Sequence, residues 1–142
     1  MKALSAVITR TLALSSLALS LTMGANLALA GEVKLTGAEE VPAVTTSATG
    51  TGNITVKSDK SVSGSVKTTG VNGIAAHIHV APKGKNGPPI ITLVKSGDDT
   101  WLVPEGAKLT DEQYASYQAG DLYINVHSPE HKPGEIRAQL KP

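Results

Sequence analysis

From residue 31 onward no stretch sustains a helical period for long; instead, short runs with an apolar residue at every second position alternate with clusters of Gly, Pro, Ser and Asn. Side chains of a strand point alternately to its two faces, so such runs specify strands with one face toward a core. They cover residues 32–35, with Val33 and Leu35; 50–57, with Ile54 and Val56; and 61–68, with Val62, Gly64 and Val66 alternating against Ser and Lys. Further runs cover 74–80, 89–95, 101–103, 122–127 and 135–140. Asp59-Lys60 reads as a hairpin tip, Val41-Pro42 interrupts any strand because proline lacks the ladder N–H, and 81–88 is a loop rich in Gly and Pro. Many short strands with frequent turns predict an all-β domain: a β-sandwich of Greek-key or immunoglobulin-like type, or of the superoxide-dismutase type. One short helix is expected near 111–118. There, Thr110-Asp111-Glu112-Gln113 spells a capping box and Gly120 suits a left-handed ending.

The first 30 residues differ from the rest. Lys2 and Arg10 give early positive charge, 11–29 are mostly Leu, Ala and Ser, and Ala28-Leu29-Ala30 has the small-x-small pattern of a cleavage site. Residues 1–30 therefore read as a secretory signal peptide, with 31–142 as one domain, periplasmic or secreted. After cleavage no stretch is apolar enough to span a membrane. Without Lys2 and Arg10 the 13 basic residues become 11 against 12 acidic ones, which leaves no basic footprint for nucleic acid. Cysteine is absent and both methionines, Met1 and Met23, precede residue 31. Disulfides, thiolate ligands and thioether sites are thereby excluded.

The chemistry gathers late in the chain. In 74–81, Ile74, Ala76, Ile78 and Val80 share one face while His77 and His79 share the other. In 122–127, Tyr123, Asn125 and His127 oppose Leu122, Ile124 and Val126; in 135–140, Glu135, Arg137 and Gln139 oppose Ile136, Ala138 and Leu140. If these strands are neighbours, the polar faces merge. His77, His79 and His127 would then be the ligands of a Cu(II) or Zn ion, for which imidazole nitrogen is suited. Asn125, Glu135 and Arg137 would orient the ligands or bind an anion beside the metal. The competing reading is structural: imidazoles that brace the 81–88 loop through Asn86 or a backbone carbonyl, with Glu135 and Arg137 as an ion pair. His131 reads as a solvated loop residue, Trp101 as a core anchor, and no residue is nominated as catalytic.

The segments Leu35-Thr36-Gly37-Ala38-Glu39-Glu40-Val41-Pro42, Ala76-His77-Ile78-His79, Leu109-Thr110, Ala119–His127 and Pro133–Leu140 together resemble the CHRD domain, named for chordin and common in exported bacterial proteins. The resemblance runs in order through nearly all of 31–142. It implies an exported β-sandwich-like domain and says little about activity. Ser128, Ala138 and Val80 depart from that pattern, and His131 is an addition to it. Three functions stay open: a metal-holding binding module, a structural or interaction domain of the cell envelope with a metal-free polar cluster, and a superoxide-dismutase-like metalloenzyme.

Overall fold

The computed structural model describes residues 31–142; the segment 1–30, read above as a signal peptide, lies outside the described residues. The described chain is all-β with one short helix. Its strands are β1 (Glu32–Thr36), β2 (Thr49–Val56), β3 (Val62–Thr69), β4 (Ala75–Val80), β5 (Pro89–Thr92), β6 (Val94–Lys95), β7 (Thr100–Leu102), β8 (Leu122–His127) and β9 (Ile136–Gln139). They form one antiparallel sheet in the order β5-β4-β8-β9-β1-β2-β3-β7-β6.

Two features turn this sheet into a folded-over pair of layers. β1 and β9 register at a single residue pair, Thr36 opposite Arg137, so the layers are hinged there. At the far edges, the run expected as one strand over 89–95 divides at buried Leu93: β5 pairs with β4, whereas β6 pairs with β7. One stretch of chain thus leaves one layer and joins the other. Between the layers lies a single aliphatic core, with Leu35, Ile54, Val66 and Trp101 from one side meeting Ile78, Ile124, Val126 and Ile136 from the other. With no Phe in the chain, Trp101 is the largest wedge in this core, as expected of an anchor.

Local signals act as their chemistry requires. At the β2–β3 turn, Asp59 Oδ1 accepts hydrogen bonds from Ser61 N–H and Oγ–H at 3.0 and 2.6 Å. The helix α1 (Asp111–Gln118) begins with both halves of the capping box: Gln113 N–H donates to Thr110 Oγ1 and Thr110 N–H donates to Gln113 Oε1. It ends at Gly120, whose φ of 81° lies in the left-handed region. Among the described residues no helix is long and apolar enough to cross a membrane.

Candidate metal centre

β4, β8 and β9 are adjacent and in the register that merges their polar faces. His77 stands opposite Asn125, His79 opposite Tyr123, and Asn125 opposite Arg137. Opposite residues in a ladder share a face, so His77, His79, Tyr123, Asn125 and Arg137 line the side away from the aliphatic core. That side is covered by chain. The 81–88 loop and the segments flanking Glu40 and Glu135 close over it, leaving Arg137 and Asn125 each 1% exposed. What reads in sequence as a polar surface is therefore a second interior, built from hydrogen bonds.

Most of this interior is occupied in holding the loop. Arg137 Nη1 donates to Asn86 Oδ1 at 3.2 Å, and its Nη2 donates to the Pro82 carbonyl and to Gln139 Oε1. Asn86 in turn donates to the Val41 carbonyl at 2.6 Å. The Arg137 guanidinium lies 3.4 Å above the Tyr123 ring, and His79 stacks on the other face of that ring at 4.6 Å and 4°. This three-layer sandwich of cation, phenol and imidazole sets the plane of His79. Tyr123 also grips the loop: its hydroxyl accepts from Gly87 N–H at 3.2 Å. Gly87 has no room for a side chain, since a Cβ there would overlap the Val80 carbonyl. Glu135 does not pair with Arg137; its carboxylate accepts from Thr46 Oγ1 at 2.7 Å and so ties down the 40–48 segment.

At one end of this layer the three histidines converge. His77 Nδ1 lies 3.0 Å from His127 Nε2, and one nitrogen from each of His77, His79 and His127 falls within 4.8 Å of the others. His127 Nδ1–H donates to the Lys132 carbonyl at 2.7 Å. His79 Nδ1 lies 2.9 Å from the Gly87 carbonyl. For His127 the carbonyl on Nδ1 selects the tautomer that leaves the Nε2 lone pair available, the arrangement of metal-ligating imidazoles; neutral His79 has one N–H for two facing oxygens, the Gly87 carbonyl at Nδ1 and Asn125 Oδ1 at Nε2. His79 Nε2 stands 3.0 Å from Asn125 Oδ1, so an ion at that nitrogen would replace this contact.

Three neutral nitrogens suit Zn(II) or Cu(II). Bound at about 2.0–2.1 Å to a tetrahedral ion, they would stand about 3.3 Å apart, so ring rotations must draw in the widest pair. Burial, together with the neighbouring imidazoles of His127 and His79, holds the His77 pKa below the usual histidine value. Burial also lowers that of His79, against the opposing hydrogen bonds of Gly87 and Asn125. Both rings thus stay neutral, and able to act as ligands, to lower pH than a free histidine.

His131 is not merely solvated. It is half-buried in a tight turn, its carbonyl accepting from Gly134 N–H at 3.0 Å and from Ser128 N–H at 3.3 Å. The sequence reading passed over Glu40, which is 6% exposed with one carboxylate oxygen lacking any partner. It also passed over the Tyr123 stack, although strand parity already put Tyr123 on the polar face.

Fold and site together define a small all-β domain with a buried polar layer ending in a three-histidine cluster. The chain belongs to the CHRD domain family, whose model matches residues 32–140. No curated protein and no solved structure matches it.

Proposed function

We propose that this CHRD domain is a metal-binding module that works after export, holding one Zn(II) or Cu(II) ion through His77 Nδ1, His79 Nε2 and His127 Nε2. The observation that carries this is the pair of backbone carbonyls, of Gly87 and Lys132, at the Nδ1 atoms of His79 and His127. They leave the Nε2 atoms of two imidazoles from distant segments as the ligands: His127 Nε2 already lies 3.0 Å from His77 Nδ1, and His79 Nε2 would exchange Asn125 Oδ1 for the ion. His77 and His127 are only half-buried, which leaves ion and solvent a way in. A three-nitrogen set leaves a fourth position for water or an anion. Asn125 and Arg137 support the set from behind, Asn125 through His79 and Arg137 through the Tyr123 stack; Glu135 supports it through the 40–48 segment. The exported role rests on the residue 1–30 pattern and on the family, and fits metal buffering or tolerance outside the cytoplasm.

Calorimetric titration of Zn(II) and Cu(II) into the purified protein tests this. We expect one ion per chain, with affinity falling at least 100-fold in His77→Ala and in His127→Ala. Binding weakens as pH falls through the depressed imidazole values, because protons then compete for the same lone pairs. Equal binding by wild type and a His77→Ala/His127→Ala double variant ends the proposal.

A second reading has its own support. His79 contacts both Gly87 and Asn125, as a bracing residue would. If the cluster is architectural, His79→Ala destabilises the metal-free domain while His77→Ala, nearer the rim, does not, and no ion binds.

A further inference from the structure

The chain contains two Asn-Gly pairs, Asn72-Gly73 ahead of β4 and Asn86-Gly87 in the 81–88 loop. This dipeptide is chemically labile, because with no side chain on the second residue its main-chain nitrogen can approach the asparagine amide carbon. Attack closes a five-membered succinimide, and the amide leaves as ammonia, taking up the proton that the attacking nitrogen gives up. Water then opens the ring at either carbonyl. One opening gives aspartate; the other gives an isoaspartyl link that lengthens the main chain by one carbon. Reaction requires a side-chain amide free to turn and a glycine N–H that nothing else holds.

The fold treats the two pairs differently. Both asparagines are exposed, so access to water does not distinguish them. Asn86 is locked: its Nδ2 donates to the Val41 carbonyl at 2.6 Å and its Oδ1 accepts from Arg137 Nη1 at 3.2 Å. Gly87 N–H donates to the Tyr123 hydroxyl at 3.2 Å, and Gly87 is wedged against the Val80 carbonyl. Attack at Asn86 would therefore break three hydrogen bonds. Asn72 lies in irregular chain between β3 and β4. Neither its side-chain amide nor the Gly73 N–H has a hydrogen-bond partner among the described residues. The Gly73 carbonyl accepts from Lys95 Nζ at 2.8 Å. That contact puts positive charge close to the nitrogen that must become anionic before it attacks.

We propose that Asn72 is a self-modification site, at which Gly73 N attacks Asn72 Cγ and the succinimide hydrolyses to aspartate and isoaspartate, while the polar layer protects Asn86. The product falls at a sensitive place. Gly73 is buried, and a Cβ on it would stand 2.9 Å from Trp101 and 3.1 Å from Val126. The next residue, Ile74, donates its N–H to the His127 carbonyl at 2.8 Å. An extra main-chain carbon beside Gly73 presses on this entry to β4 and loosens the Ile74–His127 bond. The conversion proceeds whether or not a metal binds at the histidines.

The experiment is incubation of the purified protein in warm, mildly alkaline buffer. Mass spectrometry of proteolytic peptides scores each asparagine for conversion of amide to acid, and chromatography separates the aspartyl and isoaspartyl forms. Asn72 should convert within about tenfold of the rate in a blocked peptide of residues 71–74, and Asn86 at least tenfold more slowly than Asn72. In urea-unfolded protein the two should convert at similar rates, which assigns the protection of Asn86 to the fold. Asn72→Gln should abolish the change at 72, since the six-membered ring closes far more slowly, and Lys95→Met should slow the wild-type reaction a few fold. Isoaspartyl protein isolated by ion exchange should show faster amide exchange at Ile74. Asn72 remaining intact in the folded protein while the peptide is consumed overturns the proposal. So does Asn86 converting as fast as Asn72 in the folded protein.

Discussion

The two faces of β4, β8 and β9 are both largely covered, the polar one opening only toward the rim at His77, His127 and Gln139, and they are differently made. On one, Ala76, Ile78, Ile124, Val126 and Ile136 pack against the opposite layer, none more than 1% exposed. On the other, Asn125, Arg137, Tyr123 and His79 lie under loops at 1, 1, 2 and 7% exposure. The aliphatic face is satisfied by any neighbours of the right volume, because dispersion and apolar burial have no direction. The polar face needs named partners at hydrogen-bond distance, since each unmet polar atom there is a penalty. The first face holds the layers together; the second decides where the 81–88 loop and the histidine rings sit. Stability and site geometry are thus divided between opposite sides of the same strands.

Mutations on the two sides should separate those properties. The largest loss is expected from Ile124→Ala, which empties a fully buried position between the layers and should cost about 4 kcal/mol in urea unfolding. The folded fraction should keep its metal affinity and its loop order. A tenfold change in either would mean that the faces are not independent.

Arg137→Ala comes next. It removes three hydrogen bonds from a charged donor and one side of the Tyr123 stack, and should cost about 3 kcal/mol. Its signature differs from that of Ile124→Ala: amide exchange in 82–88 should accelerate well before global unfolding, because Pro82 and Asn86 lose their anchor. Exchange in the loop that follows only global stability would show that the loop is held by something other than the polar layer.

The division also explains what could be read from sequence. Strand parity alone placed His77, His79, Asn125, His127 and Arg137 on one face, because alternation is a property of each strand by itself and adjacency needed only matching pleat. The capping box at Thr110 and Gln113 was legible for the same reason: all its atoms lie within four residues. What was not legible depends on chain that closes over the face from elsewhere. The Thr46–Glu135 bond spans 89 positions, and nothing in the pattern of either segment announces it. Glu40 follows a short 3-10 turn, outside any strand whose parity would have shown it pointing inward. The break at Leu93 was hidden because β5 and β6 read as one apolar run, and only the folding-over of the sheet sends its two halves to different partners. The polar face read as exposed because charged and amide side chains usually are; the loops that bury it follow no periodic rule.

The smallest effect tests the finest part of the comparison, whether Tyr123 acts through its ring or through its hydroxyl. The ring lies between Arg137 and His79, while the hydroxyl accepts from Gly87 N–H. Tyr123→Phe keeps the ring and deletes the hydroxyl's two neutral hydrogen bonds with Gly87, one accepted from its N–H and a longer one donated to its carbonyl at 3.4 Å, so about 1–2 kcal/mol should be lost. Gly87 still has the His79 Nδ1 contact at 2.9 Å, so the loop stays in place and metal affinity should shift by no more than a few fold. Tyr123→Leu removes the stack as well, and should free the His79 ring to rotate, seen as averaged imidazole NMR signals and weaker metal binding. If Phe and Leu at 123 behaved alike, the ring would be filler rather than a clamp. The polar layer would then differ from the aliphatic core in composition but not in the way it selects its residues.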